Sequence, residues 1–382
     1  LAELDPSVRP EPSIWWEKAP DFGRLIVQFT LPAGVDPGQC YSLFQDAVTI
    51  GVEAGIAAED LLGVIRMAET GTLLEREQLR MTGIYTAETL VQGGVDEFAA
   101  YLDRLRSVTG GDVVRVLGNW LIDAPCLAVL VEPEAGVGAG GGPGGGMPAG
   151  MGGMPPGMGG APGDGAGSEP AAGEPTAEAT WAPLPVERSE LENGAVLVSQ
   201  TNPDSPVMAI HLTVRGRAVL DRDNAAAGAL DLVHRLLEEG YAGCDKICLA
   251  RQLRGLGAVV KKVDDGRIPM DDYYTNGRFS FIRIEIAAAN GQAVLDLLAR
   301  KIQHASFTDA DFERVRDSRI DDLTREQATA RSTANALLDG ALYGDHPLVL
   351  PPEGNAETLG RLDFNQLRRV YRNAFSPVNL VF

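Results

Sequence analysis

Residues 135–162 read AGVGAGGGPGGGMPAGMGGMPPGMGGAP. Nothing in this run can bury an apolar face, so it is excluded from any packed core and is expected to be disordered. The residues that follow, to about 185, are rich in Ala, Pro and Glu. Together the two stretches predict a linker over 135–185, with one folded part before it (1–134) and another after it (186–382). Each flanking part has the length of a single domain. The glycines are no phosphate loop, because no Gly-Lys-Ser/Thr follows them.

Charge narrows the partners. The net charge is −20, which argues against nucleic acid, since phosphate recognition needs clustered Lys and Arg. It is compatible with cationic peptides. No apolar run reaches the roughly 20 residues that a membrane-spanning helix needs. The cysteines, Cys40, Cys126, Cys244 and Cys248, are too sparse for a disulfide framework. Cys244 and Cys248 sit in CDKIC and are expected on one helix face. Lacking a second pair of ligands, they are read as two buried thiols rather than as a zinc site. The chain opens on Leu1 and closes on NLVF, which reads as an interrupted strand. A piece of a longer protein is expected, which leaves the compartment open.

Both parts mix strands and helices. In the first, SIWWEKA, a PDFG turn and RLIVQFTLP predict a hairpin. Helical patterns follow in QCYSLFQDAVTIGVEAG, AAEDLLGVIRMAE, VDEFAAYLDRL and GDVVRVLGNWL, the last capped by Asp112. CLAVLVEP reads as a buried closing strand. In the second part, NGAVLVSQ and PVMAIHLTVRG flank a TNPDS turn. Two helices follow, LDLVHRLLEEG and KICLARQLRGLG, the latter ending on Gly257. Then come strands AVVKKVDD and RFSFIRIEIA, the helix GQAVLDLLARKI and a longer helix over 309–330. Strand pairs followed by helix pairs predict an α+β class, with an antiparallel-rich sheet and helices on one face.

LDLVHRLLEEG, residues 230–240, carries His, Arg and carboxylates on one short helix. Leu230, Val233 and Leu237 fall on one apolar stripe. Asp231 and Arg235 stand at i,i+4 and are placed to form an ion pair. The remaining histidines, His211, His304 and His346, do not pair with one another at metal spacing.

Taken in order, these segments resemble the pitrilysin/insulinase family of zinc peptidases. NGAVLVSQTNPDSPVMAIHLTVRGRAV is similar to that family's opening strand pair, and AAAGALDLVHRLLEEG to its metal-site helix. LARQLRGLGAVVKKVDD, FTDADFERVRDSRIDDL, LYGDHPL, Gly354, Leu359 and FSPVNL continue the likeness through 190–382. Val108, Thr109, GDVVRVLGNWL and CLAVLVEP resemble the close of the family's other half-unit. The resemblance implies two α/β sandwich half-units: the end of one repeat (1–134) and the start of a second, degenerate repeat (186–382).

Active members of that family carry H-x-x-E-H on the helix. Two His one turn apart hold Zn²⁺, the Glu activates its water, and a later helix supplies a carboxylate ligand. Alignment on Gly228 and Gly240 sets Asp231 and Arg235 at the two His positions and His234 at the base position. Asp322, or Asp321 one residue earlier, falls at the distal carboxylate. Arg235 is a permanent cation that cannot ligate Zn²⁺. One His and two carboxylates, His234 with Asp231 and Asp322, can in principle form a facial triad; Arg235 and the lack of a base weigh against it. The resemblance therefore implies no catalytic residue and no metal ligand in this chain. Zinc is expected in a catalytic repeat elsewhere, in the same protein or a partner chain. This chain would supply chamber wall and scaffold for peptide substrates. The alternative is an assembly subunit with a peptidase-like fold and no proteolytic role.

Overall fold

The computed structural model describes residues 13–18, 23–29, 31, 36–77, 79–122, 127–131, 184–223, 227–262, 278–326 and 330–382. Most of the expected linker, 135–183, lies outside the described residues.

In the first part, β1 (Ser13–Lys18) pairs antiparallel with β2 (Gly23–Gln28), as the turn chemistry predicts. Helix α1 (Pro37–Ala54) starts under an Asp36 cap whose side chain accepts from the Gly38 and Gln39 N–H groups. Then come α2 (Ala58–Glu77), α3 (Leu79–Ser107) and α4 (Gly110–Leu117). Asp112 is not the cap of α4. Thr109 is, and Asp112 answers from the third helical position to complete a capping box. The closing strand expected in CLAVLVEP is not formed over 127–131. These residues pair with no strand among the described residues, and Leu127 and Val131 are 89% and 85% exposed. Among the described residues the first part offers only a two-stranded hairpin, and 127–131 do not join it.

The second part is built on β3 (Val186–Glu190), β4 (Val196–Gln200), β5 (Val207–Arg215), α5 (Arg217–Asp223) and α6 (Ala229–Leu236). A short hairpin of β6 (Gly240–Tyr241) and β7 (Cys244–Asp245) leads into α7 (Lys246–Leu256). Strands β8 (Val259–Lys262) and β9 (Phe279–Ala287) precede α8 (Gly291–Gln303) and α9 (Asp309–Glu326). The chain continues through α10 (Ala330–Tyr343), α11 (Ala356–Gly360), α12 (Phe364–Ala374) and β10 (Leu380–Val381).

Six strands form one mixed sheet in the order β3-β4-β10-β5-β9-β8. Only β10 against β4 is parallel. Alternation along β5 and β9 sends Ile210, Leu212, Val214, Ile282, Ile284 and Ile286 to one face. There they meet buried residues of α6, α8, α9 and α12, including Leu230, Val233, Leu298, Phe312 and Leu367. These helices share one face, as the segment order predicts, and the α+β class holds.

The opposite face is not left to solvent. Helix α2, from the first part, packs across β5 and β9 and along α7. It contributes nothing to the buried core cluster, so it covers the other side of the sheet, where Phe281 and Glu285 are also buried. Polar links fix it: Arg66 donates to the Gly255 carbonyl, Arg251 pairs with Asp60 at 3.3 Å, and the Ser205 hydroxyl donates to Glu77 at 2.9 Å. Gly257, the C-cap of α7 at φ 71°, makes the approach possible, since a Cβ there would lie 2.7 Å from the Arg66 carbonyl oxygen.

One expectation about the cysteines is overturned. Cys244 and Cys248 are not two free thiols on a helix face; they are joined in a disulfide. The helix starts later than CDKIC suggests. Asp245 is its cap, accepting from the Cys248 N–H, and Cys244 lies before it in β7. The hairpin register, Gly240 opposite Asp245, turns Cys244 back onto the first helical turn. The two Cα atoms are 5.3 Å apart, within disulfide range. Cys40 is buried and free, and burial pushes its thiol pKa up. Cys126 lies outside the described residues.

Candidate functional site

Helix α6 is wholly buried apart from Arg235. The apolar stripe read from sequence is present, with Leu230, Val233 and Leu237 all 0% exposed, and Leu232 and Leu236 join it. The helix begins at Gly228, where φ is 87°. A Cβ at Gly228 would lie 2.6 Å from the Glu353 carbonyl oxygen, and one at Gly354 would lie 2.6 Å from the Ala227 carbonyl oxygen. Two backbones touch here with no room for side chains. The start of α6 is thereby fixed against the loop that leads to α11.

This fixed helix holds Asp231 at 1% exposure. A lone buried carboxylate is costly, so its partners matter. Arg235, one turn on, donates from Nε to Asp231 Oδ2 at 2.9 Å. A second guanidinium comes from α9, where Arg319 Nε lies 3.3 Å from the same oxygen. The Arg319 side chain is 8% exposed. Asp231 is therefore clamped between two cations, one local and one from a distant helix.

The resemblance sets Asp322, or Asp321, at the distal carboxylate position of the α9 helix. The structure brings Arg319 against Asp231. Asp321 is exposed and Asp322 half-buried. Arg319 sits one turn earlier, on the stripe of Phe312, Val315 and Leu323 that faces the core. A cation on an apolar stripe is the sequence signal that marks it, for such a position demands a buried anion. His234 is also elsewhere. Its Nε2 lies 2.8 Å from Ser280 Oγ on β9, its ring stacks edge-on near Phe375, and both polar partners are almost fully buried.

Asp231 with its two guanidiniums links α6 to α9, and His234 links α6 to β9. Asp231, His234 and Asp322 do not converge as a facial triad. Among the described residues, no three His, Cys, Asp or Glu gather in a way that could hold a metal ion. Asp231 Oδ2 is engaged by both guanidiniums, and a guanidinium cannot ligate a metal. No helix among the described residues is long and apolar enough to cross a membrane.

No family model matches the chain, and no curated protein matches it. Solved structures give slight likenesses. One is an inactive peptidase M16 domain from Pseudomonas fluorescens, at 21% identity and TM-score 0.45, covering 52% of this chain and 45% of that one. A protease from Helicobacter pylori gives 14% identity and TM-score 0.45 over 52% and 45% of the two chains. The first half of the periplasmic protease PqqL from Escherichia coli gives 15% identity and TM-score 0.44 over 52% and 41%. The chain spans less than half the length of each of these structures.

Proposed function

We propose that this chain is a non-catalytic portion of a pitrilysin/insulinase-like zinc peptidase. Its role is to supply wall and scaffold around a peptide that an H-x-x-E-H motif outside this chain hydrolyses. The zinc of that motif supplies the activated water; the residues here hold the helix framework and no metal. The observation that carries the reading is the Asp231 clamp. On the helix where the resemblance expects metal ligands, the one buried carboxylate is engaged by Arg235 and Arg319. Such a clamp preserves packing and removes ligating capacity.

The test has two arms. The purified chain, alone, is assayed for zinc content and for chelator-sensitive cleavage of unfolded peptides. Substoichiometric zinc and no cleavage are expected; chelator-sensitive cleavage by the chain alone would overturn the proposal. The chain is then combined with an H-x-x-E-H-bearing repeat. A rise in kcat/KM for peptide supports the scaffold role. Stable assembly with no kinetic effect on peptide hydrolysis would instead favour a purely structural subunit.

A further inference from the structure

We propose that the Cys244–Cys248 disulfide is an exchange site for small thiols of about tripeptide size. The bond lines a cleft of about 660 Å³, whose walls include Glu239, Tyr241, Lys246, Ser306 and Asp311. The two sulfurs are not equivalent. Cys244 is 6% exposed, whereas Cys248 is half-buried, so an incoming thiol reaches Cys248 first. Cys248 also has a prepared partner. Gln252, one turn along α7, points Nε2 at Cys248 Sγ at 3.5 Å, and its Oε1 accepts from the Tyr241 hydroxyl at 2.9 Å. Tyr241 thus orients the amide so that it donates to sulfur. A donor aimed at a sulfur in the first turn of a helix favours the thiolate over the thiol.

The carboxylates around the cleft are largely engaged. Glu239 pairs with Arg314 at 2.6 Å and with Lys246 at 3.7 Å. Asp311 pairs with Arg314 at 3.2 Å. Burial pushes the Asp311 carboxyl up, but hydrogen bonds from Thr308 and Arg314 outweigh it and hold it ionised below the usual range. Asp245 is occupied by the Cys248 N–H at 2.8 Å.

The exchange balances as follows. A thiolate attacks Cys248 Sγ and forms a mixed disulfide. The Cys244–Cys248 bond breaks, and the Cys244 sulfur leaves with the electron pair and takes a proton from solvent. A second thiolate attacks the small molecule's own sulfur, releasing the symmetrical small-molecule disulfide and a Cys248 thiolate held by Gln252. Two thiols are oxidised and one protein disulfide is reduced. Gln252 and Tyr241 are positioning residues in this scheme.

The experiment uses the full chain in mixtures of reduced and oxidised glutathione, followed by iodoacetamide trapping and site-resolved mass spectrometry. Cys244 and Cys248 should open together while circular dichroism stays native. In Cys244→Ser, glutathione should attach to Cys248. The pH profile of Cys248 alkylation in reduced Gln252→Leu should move up by about one pH unit, the effect of losing roughly one charge-assisted hydrogen bond. Tyr241→Phe, which keeps the ring, should move it the same way by less. The proposal falls if the air-oxidised chain carries both thiols free, or if the pair opens only where the chain unfolds. It falls equally if glutathione does not attach to Cys248, or if both variants leave the pH profile unmoved.

Discussion

At the scale of single residues, the Asp231 clamp carries the largest consequence. Removing one partner of a buried ionic group leaves the others uncompensated, at a cost of about 3–5 kcal/mol. Asp231→Ala should therefore destabilise the chain by about 3 kcal/mol or more in urea unfolding. Arg319→Met alone should also be costly. The double variant Asp231→Leu with Arg319→Met should recover much of the loss, because Arg235, with 31% of its side chain exposed, can turn to water. Additive single costs would show that the pair is not coupled. A second residue sets a pH dependence. His211 lies on β5 opposite Arg283 on β9, and its ring centroid is 4.9 Å from that of Phe281. Burial, and then the Arg283 charge, hold its pKa below 6.5. The unfolded chain therefore takes up this proton first as pH falls, so the ratio of bound protons favours unfolding. The stability from a neutral His211 is full above pH 6.5 and is lost as pH falls from there through the folded-state pKa. His211→Gln should flatten that fall in denaturation midpoints; an unchanged slope would assign the pH dependence elsewhere.

At the scale of elements, the contact of α2 with α7 joins the two parts. Gly63 on α2 is buried, and a Cβ there would meet the Arg254 side chain at 3.1 Å. Gly63→Leu should loosen the docking while leaving the cap of α7 intact, seen as faster hydrogen exchange in α2 than in α9. Gly257→Ala strikes both. The left-handed conformation costs an L-residue about 1–2 kcal/mol, and the added methyl meets the Arg66 carbonyl. Its loss of stability should exceed that of Gly63→Ala. The α6 stripe and the Asp231–Arg235 pair were readable in sequence because both rest on helical period, which is local. The partnership with Arg319 was not, because it depends on how α9 lies against α6. Spacing fixes which residues share a face, not which turn stands opposite a neighbour. The disulfide was hidden by a boundary. Reading CDKIC as continuous helix sets both sulfurs on one face, whereas the Asp245 cap moves Cys244 into a hairpin. The closing strand in CLAVLVEP failed differently. Its apolar composition suits a strand, but a strand needs a neighbour to pair with, and composition does not supply one.

At the scale of the whole molecule, α2 makes the two parts one packed body across the region 132–183. A protease site introduced within that region, once cut, should leave two pieces that still elute together in gel filtration. Separation of the pieces would show that the α2 contact is too weak to hold them. The sheet has a second dependence of this kind. Among the described residues, the β3–β4 hairpin joins the remaining strands only through β10, since Val381 stands between Val196 on β4 and Thr213 on β5. Backbone bonds from Phe382 N–H to the Val196 carbonyl at 2.8 Å, and from Val198 N–H to the Phe382 carbonyl at 2.7 Å, complete the seam. During synthesis, then, residues 186–200 leave the ribosome long before the strand that ties them in. Until residues 380–382 follow, that side of β4 is an open edge, free to pair with any extended segment nearby. The β3–β4 hairpin is thus tied into the sheet only once a strand about 180 residues further along the chain has been made.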